Sequence, residues 1–310
     1  MRPFTAPPFV ERGPLLETPS PQTAPSRASG TSRVCPACAR TTAHILRFQK
    51  NGSDILQCSA CGLGRAETTD FDPTTYYTAD YFSGGHADGY SDYLGAEAVL
   101  RREFASTVDF IRDFRTGGKL LEIGCAYGFF LQEAGRHFEV AGIELADDAA
   151  AHCLRKGLHV LQGVANQANL DQMGCVDVIV LLDVIEHLPQ PRETLDLCSR
   201  HLNPGGVIVI STGDFASMVA RLSGPKWRLM TPPQHLWYFT PDSMRRMSAI
   251  LGLATERLDH PWKTVPASLI LFQLRRMFGI GGAPVTAGSS IAVPINLFDA
   301  MRIVLRKPLQ

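Results

Sequence analysis

Three groups of residues have the types and spacing to do chemistry. Cys35, Cys38, Cys58 and Cys61 form two C-x-x-C pairs with nineteen residues between them. Four thiolates in such knuckles suit a tetrahedral zinc whose coordination positions are all filled, a structural site with no position left for chemistry. The second group lies in "LLEIGCAYGF" (residues 120–129), an apolar run that turns on Gly124 and Gly128 and precedes a helical stretch. The third is "LLDVIEHLPQP" (181–191), which holds Asp183, Glu186 and His187, joined by His235 in "PPQHLWYF". An imidazole titrates near neutrality and can take a proton from a hydroxyl, so His187 is the first candidate base and His235 the second. Alternatively, Asp183, Glu186 and His187 could hold a divalent cation, or the Glu186–His187 pair could simply orient its loop. Trp237 and Tyr238 suit an acceptor pocket or a core equally well.

The glycine turn does not fit a dinucleotide fingerprint. Counted from Gly124, the second and third glycines of G-x-G-x-x-G fall on Ala126 and Phe129. An acidic residue followed by x-G-x-G-x-G fits better, with Glu122, Gly124, Ala126 and Gly128 and one departure at Ala126. Glycines there let the backbone approach a ligand closely, and the next helix offers unpaired N–H groups. Alanine costs little at negative φ, and on the order of 1 kcal/mol in a left-handed position. The second strand ends at Glu144, twenty-two residues after Glu122, where a carboxylate can accept from both hydroxyls of a ribose. Turn and acid together point to a nucleoside. The alternative for Glu144 is a cap on the helix starting near Ala146.

These residues require elements to position them. From residue 118 onward strands and helices alternate, the signature of a parallel sheet covered on both faces. Strands are expected at 119–123, 139–144, 158–161, 176–182 and 206–211, with helices near 128–137, 147–156 and 192–202. "NPGG" at 203–206 reads as a sharp break before the fifth strand. Thr240 as N-cap, Pro241 in the first turn and Gly252 as stop frame a further helix, followed by strands at 254–259 and near the end of the chain. Before the sheet, Val99, Phe104, Val108 and Ile111 share one helical face. The expected organisation is a disordered Pro/Ser/Thr-rich tail at 1–33, a zinc ribbon at 34–66, and an aromatic linker with a helical lid at 67–115. An α/β domain then fills 116–310, with an insert at about 262–296. Within the insert, "WKTVPASLILFQLRRMFG" could form an amphipathic helix with Arg275 and Arg276 at its polar end. It would then pack on the sheet, cover a lipid-linked acceptor or touch a membrane surface.

Composition narrows the classes. Over 310 residues, 30 Lys and Arg balance 30 Asp and Glu. A nucleic-acid partner is therefore not expected, because phosphate binding needs clustered positive charge. No apolar run reaches the eighteen or so residues of a membrane span, and the N-terminus carries no apolar stretch of signal-peptide length. The cytoplasm is the expected compartment, and there paired cysteines bind metal and do not form disulfides.

Over residues 116–310 the chain resembles a class I S-adenosylmethionine-dependent methyltransferase of the bacterial small-molecule type. The matching blocks are "LLEIGCAYGFFLQ", "VAGIEL", "VDVIVLLDVIEHLPQP", "HLNPGGVIVIST" and "PPQHLWYFTPDSMRRM". The resemblance implies a Rossmann-like, doubly wound, mostly parallel seven-stranded sheet. It implies that Glu122 and the Gly124–Ala126–Gly128 turn meet the methionine part of S-adenosylmethionine, that Glu144 binds the ribose and that Leu145 packs near the adenine. It places Asp183 at the cofactor and Glu186 and His187 near the transferred methyl, while His235 follows the fifth strand on the same edge of the sheet. Where many relatives carry an acid near Gly163, this chain has "GVANQANL". The ribbon and tyrosine-rich stretch resemble methyltransferases of surface-glycan and secondary-metabolite pathways. The expected activity is methyl transfer to a small molecule, most readily to oxygen. Two other classes stay open: a quinone or lipid O-methyltransferase with a metal at Asp183, Glu186 and His187, and a non-catalytic cofactor-binding protein.

Overall fold

A computed structural model describes residues 31–68, 71–83, 92–277 and 290–309. Residues 1–30, the bulk of the expected tail, and 278–289 of the expected insert lie outside the described residues. The chain opens with β1 (Thr31–Val34), β2 (Thr41–Lys50), β3 (Ser53–Cys58) and β4 (Gly64–Glu67), paired antiparallel in that order. Residues 31–33, read above as tail, are thus a strand, tied down by Arg33 and Glu67 at 2.7 Å. Asn51 and Gly52 turn β2 into β3 with φ of 47° and 76°, the left-handed pair that a tight hairpin demands. Short helices α1 (Pro73–Tyr76) and α2 (Ala79–Ser83) lead to α3 (Glu97–Arg112), which buries Val99, Val108 and Ile111.

The α/β unit then runs through β5 (Lys119–Ile123), α4 (Phe129–Ala134), β6 (Glu139–Glu144), α5 (Asp147–Arg155), β7 (His159–Gln162) and α6 (Gln167–Met173). It continues through β8 (Val176–Leu182), α7 (Pro191–Arg200), β9 (Leu202–Gly213), α8 (Met218–Ser223), β10 (Trp237–Tyr238) and α9 (Pro241–Ile250). The last elements are β11 (Ala254–Asp259), β12 (Lys263–Pro266), α10 (Ala267–Met277), β13 (Ala292–Ile295) and β14 (Ala300–Arg306). The main sheet has the order β11-β14-β9-β8-β5-β6-β7, parallel from β9 to β7, with β14 antiparallel to both its neighbours.

Strand β8 shows why the sheet forms. Val178 and Val180 pack into one core and Ile179 and Leu181 into the other, all fully buried. A strand covered on both faces reads as an unbroken apolar run, and each such side chain contributes about 1.5–3 kcal/mol by leaving water.

Four local features depart from the sequence reading. The "NPGG" stretch does not precede the fifth strand. Strand β9 starts at Leu202, and the pairing with β8 jumps from Val176↔Leu202 to Val178↔Val207, so 203–206 bulges within it. Residues 167–173 form α6, with the Asn166 side chain accepting from Asn169 N as its cap. In the insert, β12 precedes the helix and pairs with β13, so the helix is shorter than the amphipathic stretch suggested. Finally, β10 joins β4 and not the main sheet, which makes the ribbon sheet five-stranded.

Candidate functional site

The carboxyl ends of β5, β6, β8 and β9 converge on one cavity of about 410 Å³, the edge at which open α/β sheets take ligands. Its floor is the glycine turn. Gly124, Ala126 and Gly128 all have positive φ, at 73°, 44° and 75°. A Cβ on Gly124 would lie 2.6 Å from the Val184 side chain, which would have to shift to make room. Ala126 occupies the costly left-handed position and carries roughly 1 kcal/mol of strain. Its N–H donates to Glu144 Oε2 at 2.7 Å, and Ala146 N–H donates to Oε1 at 2.8 Å. Glu144 thus ties the turn after β5 to the start of α5, and it also lines the cavity. Burial raises its pKa, partly offset by these amides.

Glu122 and Leu145 line the same region. Glu122 is buried, its Oε2 has no protein partner among the described residues, and burial pushes its pKa well up. An orphaned carboxyl beside a left-handed turn fits a ligand with an amino or hydroxyl group to offer. Near Gly163 the wall is formed by Gly163, Val164 and Ala165, while Asn166 is occupied as a cap.

Asp183, at φ 55°, turns toward the insert. It accepts from Ser211 Oγ at 2.8 Å and from Lys263 Nζ at 2.9 Å. Burial pushes its pKa up, but the ammonium and hydroxyl outweigh this and hold it below the usual carboxylate range. Thr264 N–H donates to Glu103 of α3, so β12 is fastened from two sides. The sequence held no local signal for Lys263, because its partner Asp183 lies 80 residues away.

His187 and His235 come together, their rings 4.6 Å apart and at 75°. His187 Nδ1 is 2.9 Å from the carbonyl of Gln234 and 2.7 Å from the Tyr77 hydroxyl. His235 Nδ1 is 2.8 Å from the carbonyl of Leu229. A carbonyl only accepts, which assigns the proton to Nδ1 in both rings and leaves each Nε2 a lone pair. Burial lowers both pKa values, that of His235 to about 3 with His187 adding to the effect. Both imidazoles are therefore neutral. Glu186 is pushed up to about 8 by burial and by the charge of Asp183, and its Oε2 also has no protein partner. Tyr77, from the aromatic linker, is a second site residue that the sequence did not single out.

The alternative in which Asp183, Glu186 and His187 hold a cation is not the cluster that the structure brings together, since Asp183 pairs with Lys263. The donor atoms within 4.8 Å of one another belong instead to Glu186, His187 and His235. The second such cluster is Cys35, Cys38, Cys58 and Cys61, all buried. Sulfur separations of 3.5 Å (Cys35–Cys61) and 3.9 Å (Cys38–Cys58) match the edges of a tetrahedron with metal–sulfur bonds of about 2.3 Å, and the arrangement fits a zinc ribbon.

Comparison with known proteins agrees with this geometry. Residues 97–258 match a family model described as a methyltransferase domain. The chain belongs to this family, the class I S-adenosylmethionine-dependent methyltransferases. It is 30% identical over 150 residues to the ubiquinone biosynthesis O-methyltransferase of Idiomarina loihiensis, covering 44% of this chain and 62% of that one. To the protein of the same name from Xanthomonas euvesicatoria it is 31% identical over 133 residues, 41% of this chain and 54% of the other. The chain thus spans a little over half the length of these curated relatives. Among solved structures, a chain from the Haloferax volcanii complex of the Trm112 methyltransferase activator with a methyltransferase shares the fold. It has a TM-score of 0.51 and 14% identity, with 77% of this chain and 100% of that one covered.

Proposed function

We propose that this protein is an O-methyltransferase that uses S-adenosylmethionine and acts on a small hydroxylated acceptor with an apolar body. The observation that carries the reading is His187, whose Nδ1 is engaged by the Gln234 carbonyl so that Nε2 is the ring nitrogen left to take a proton. It stands in the same cavity as the glycine turn, Glu122 and Glu144. The cofactor, when bound, supplies an electrophilic methyl on a sulfonium. Glu122 and the 124–128 turn would hold its methionine part, and the lone pairs of Glu144 not used by Ala126 and Ala146 would take its ribose. Leu145 would pack on the adenine. His187 would accept the acceptor's hydroxyl proton as the oxygen attacks, with His235 beside it and Tyr77 fixing its ring. A positioned base of this kind contributes about 10²–10⁴-fold.

Leu100, Phe104, Leu269 and Phe272 line the acceptor half of the cavity. That apolar surface favours an aromatic ring over a glycan. The O-methyltransferases named for ubiquinone biosynthesis support a phenol of a quinone precursor as the acceptor. A structural zinc at the four cysteines completes the proposal.

Calorimetry with S-adenosylhomocysteine tests the cofactor half. Micromolar binding that weakens at least tenfold in Glu144→Ala is expected, and no binding by folded wild type would overturn the reading. With a 1,2-dihydroxybenzene as probe acceptor, His187→Gln should lose about 10²-fold or more in kcat. Convergence of Glu186, His187 and His235 supports a second reading, in which these three hold a divalent cation that binds the acceptor oxygen. Chelator-sensitive turnover at full ribbon zinc content would favour it.

A further inference from the structure

One segment of the α/β unit is held by the ribbon at four points. Asn51 Nδ2, at the tip of the β2–β3 hairpin, donates to Pro232 O at 2.8 Å. Ala66 N–H donates to Leu236 O at 2.9 Å. Trp237 and Tyr238 pair with Arg65 and Gly64 as β10 on β4. Thr240 Oγ1 donates to the carbonyl of Cys61, one of the four clustered cysteines, at 3.1 Å. The fit leaves no slack, since a Cβ on Gly64 would lie 2.9 Å from Tyr238 Cβ.

The other side of the same segment builds the reaction site. Thr231, Gln234 and His235 form part of the cavity wall. The Gln234 carbonyl receives His187 Nδ1, Leu236 N–H donates to Glu186 O at 2.9 Å, and Trp237 Nε1 donates to Leu188 O at 2.8 Å. Residues 231–240 are thus clamped between the ribbon and the loop that carries Glu186 and His187. The knuckle Cys58–Cys61 joins β3 to β4, so whatever fixes the four thiolates fixes the strand on which β10 rests.

Resting on the reading above, in which these cysteines hold zinc and the histidines serve the acceptor, we infer that the ribbon is a component of the acceptor site: Asn51, Cys61 and β4 are positioning residues that set residues 231–240 and, through them, both histidines. Among the described residues the cofactor half is held from within the α/β unit, Glu122, Glu144 and the glycine turn being fixed by β5, β6 and α5.

The test compares zinc-loaded wild type with Asn51→Asp, which tolerates the left-handed turn but loses the donor, and with Cys61→Ser, which breaks the metal site. Amide hydrogen exchange, zinc content and S-adenosylhomocysteine affinity are measured on each. Exchange across 231–240 should rise about tenfold or more in Cys61→Ser and roughly threefold in Asn51→Asp. Amides of β5 and β6 should keep their protection, and cofactor-product affinity should stay within about threefold. With the dihydroxybenzene probe, Asn51→Asp should raise the acceptor's KM and leave the cofactor's KM unchanged. Unchanged exchange at 231–240 in Asn51→Asp overturns the inference. So does a parallel loss of cofactor-product affinity, which would make the ribbon a general stabiliser. Asn51→Asp keeps all four cysteines, so the test stands even where Cys61→Ser fails to fold. The exchange readout needs no acceptor or cofactor, so failure of the functional reading would show separately, as absent product binding in wild type.

Discussion

Ala126 bears a methyl group at φ 44°, where L-residues crowd the following carbonyl. Replacing it by glycine removes that strain at a small entropic cost in the unfolded chain. Ala126→Gly should therefore raise stability by up to about 0.5 kcal/mol, seen as a Tm increase of roughly 1 °C. A lower Tm would show that the methyl packs usefully in its pocket. Glu122 yields a prediction about pH. Burial raises its pKa in the folded protein, so the folded state keeps a proton that the unfolded chain releases in the ordinary carboxylate range. Stability of the ligand-free protein should fall as pH climbs above that range toward the raised pKa, and Glu122→Gln should flatten this slope. Denaturant unfolding at pH 5 and pH 8 measures it, and parallel slopes would sink the idea. At this scale the sequence was informative where residues share a turn: Glu122, Gly124, Ala126 and Glu144 all line one cavity, and Gly128 closes the turn. It was silent where partners meet across the fold. Asp183 faces Lys263, and His187 meets Tyr77 and Gln234, because crossover connections decide those meetings and local spacing does not.

Several strands were legible from their apolar runs. Strands β5, β6 and β8 fall within one residue of their expected limits, since both faces are apolar. The helix α9 was legible for a different reason. Its Thr240–Ser243 capping box and Pro241 mark the start chemically. The bulge in β9 and the defection of β10 to the ribbon were not legible. Glycine and proline in "NPGG" signal a break but do not say whether pairing resumes, and two residues cannot name the sheet they join. Near the sheet's end, buried Asp299 accepts from Trp227 Nε1 at 2.9 Å and from Arg228 Nε and Nη2 at 3.0 and 2.8 Å. It anchors the turn beyond α8 to the start of β14. Asp299→Ala leaves an indole N–H and a guanidinium without their acceptor and should cost about 3 kcal/mol in denaturant unfolding. A loss below about 1 kcal/mol would mean that water replaces the carboxylate.

On the scale of the molecule, Lys263–Pro266, Leu269 and Phe272 of the insert line the cavity, and the insert's described hold on the main unit includes Lys263 to Asp183 and Thr264 to Glu103. If this hold slows ligand escape, Lys263→Met should speed dissociation of S-adenosylhomocysteine roughly threefold in stopped-flow experiments. An unchanged rate would assign the ion pair to folding alone.

The excursion of β10 has one more consequence. A chain begun at residue 68 would lack the strand on which Trp237 and Tyr238 lie. Those two aromatic residues would then sit on an open row of backbone N–H and C=O groups, beside the floor left by the missing meander. Bare, apolar edges of this kind recruit strands from other molecules. The shortened protein should therefore self-associate, and its clumping in light scattering would mark the price of a ribbon that cannot be detached.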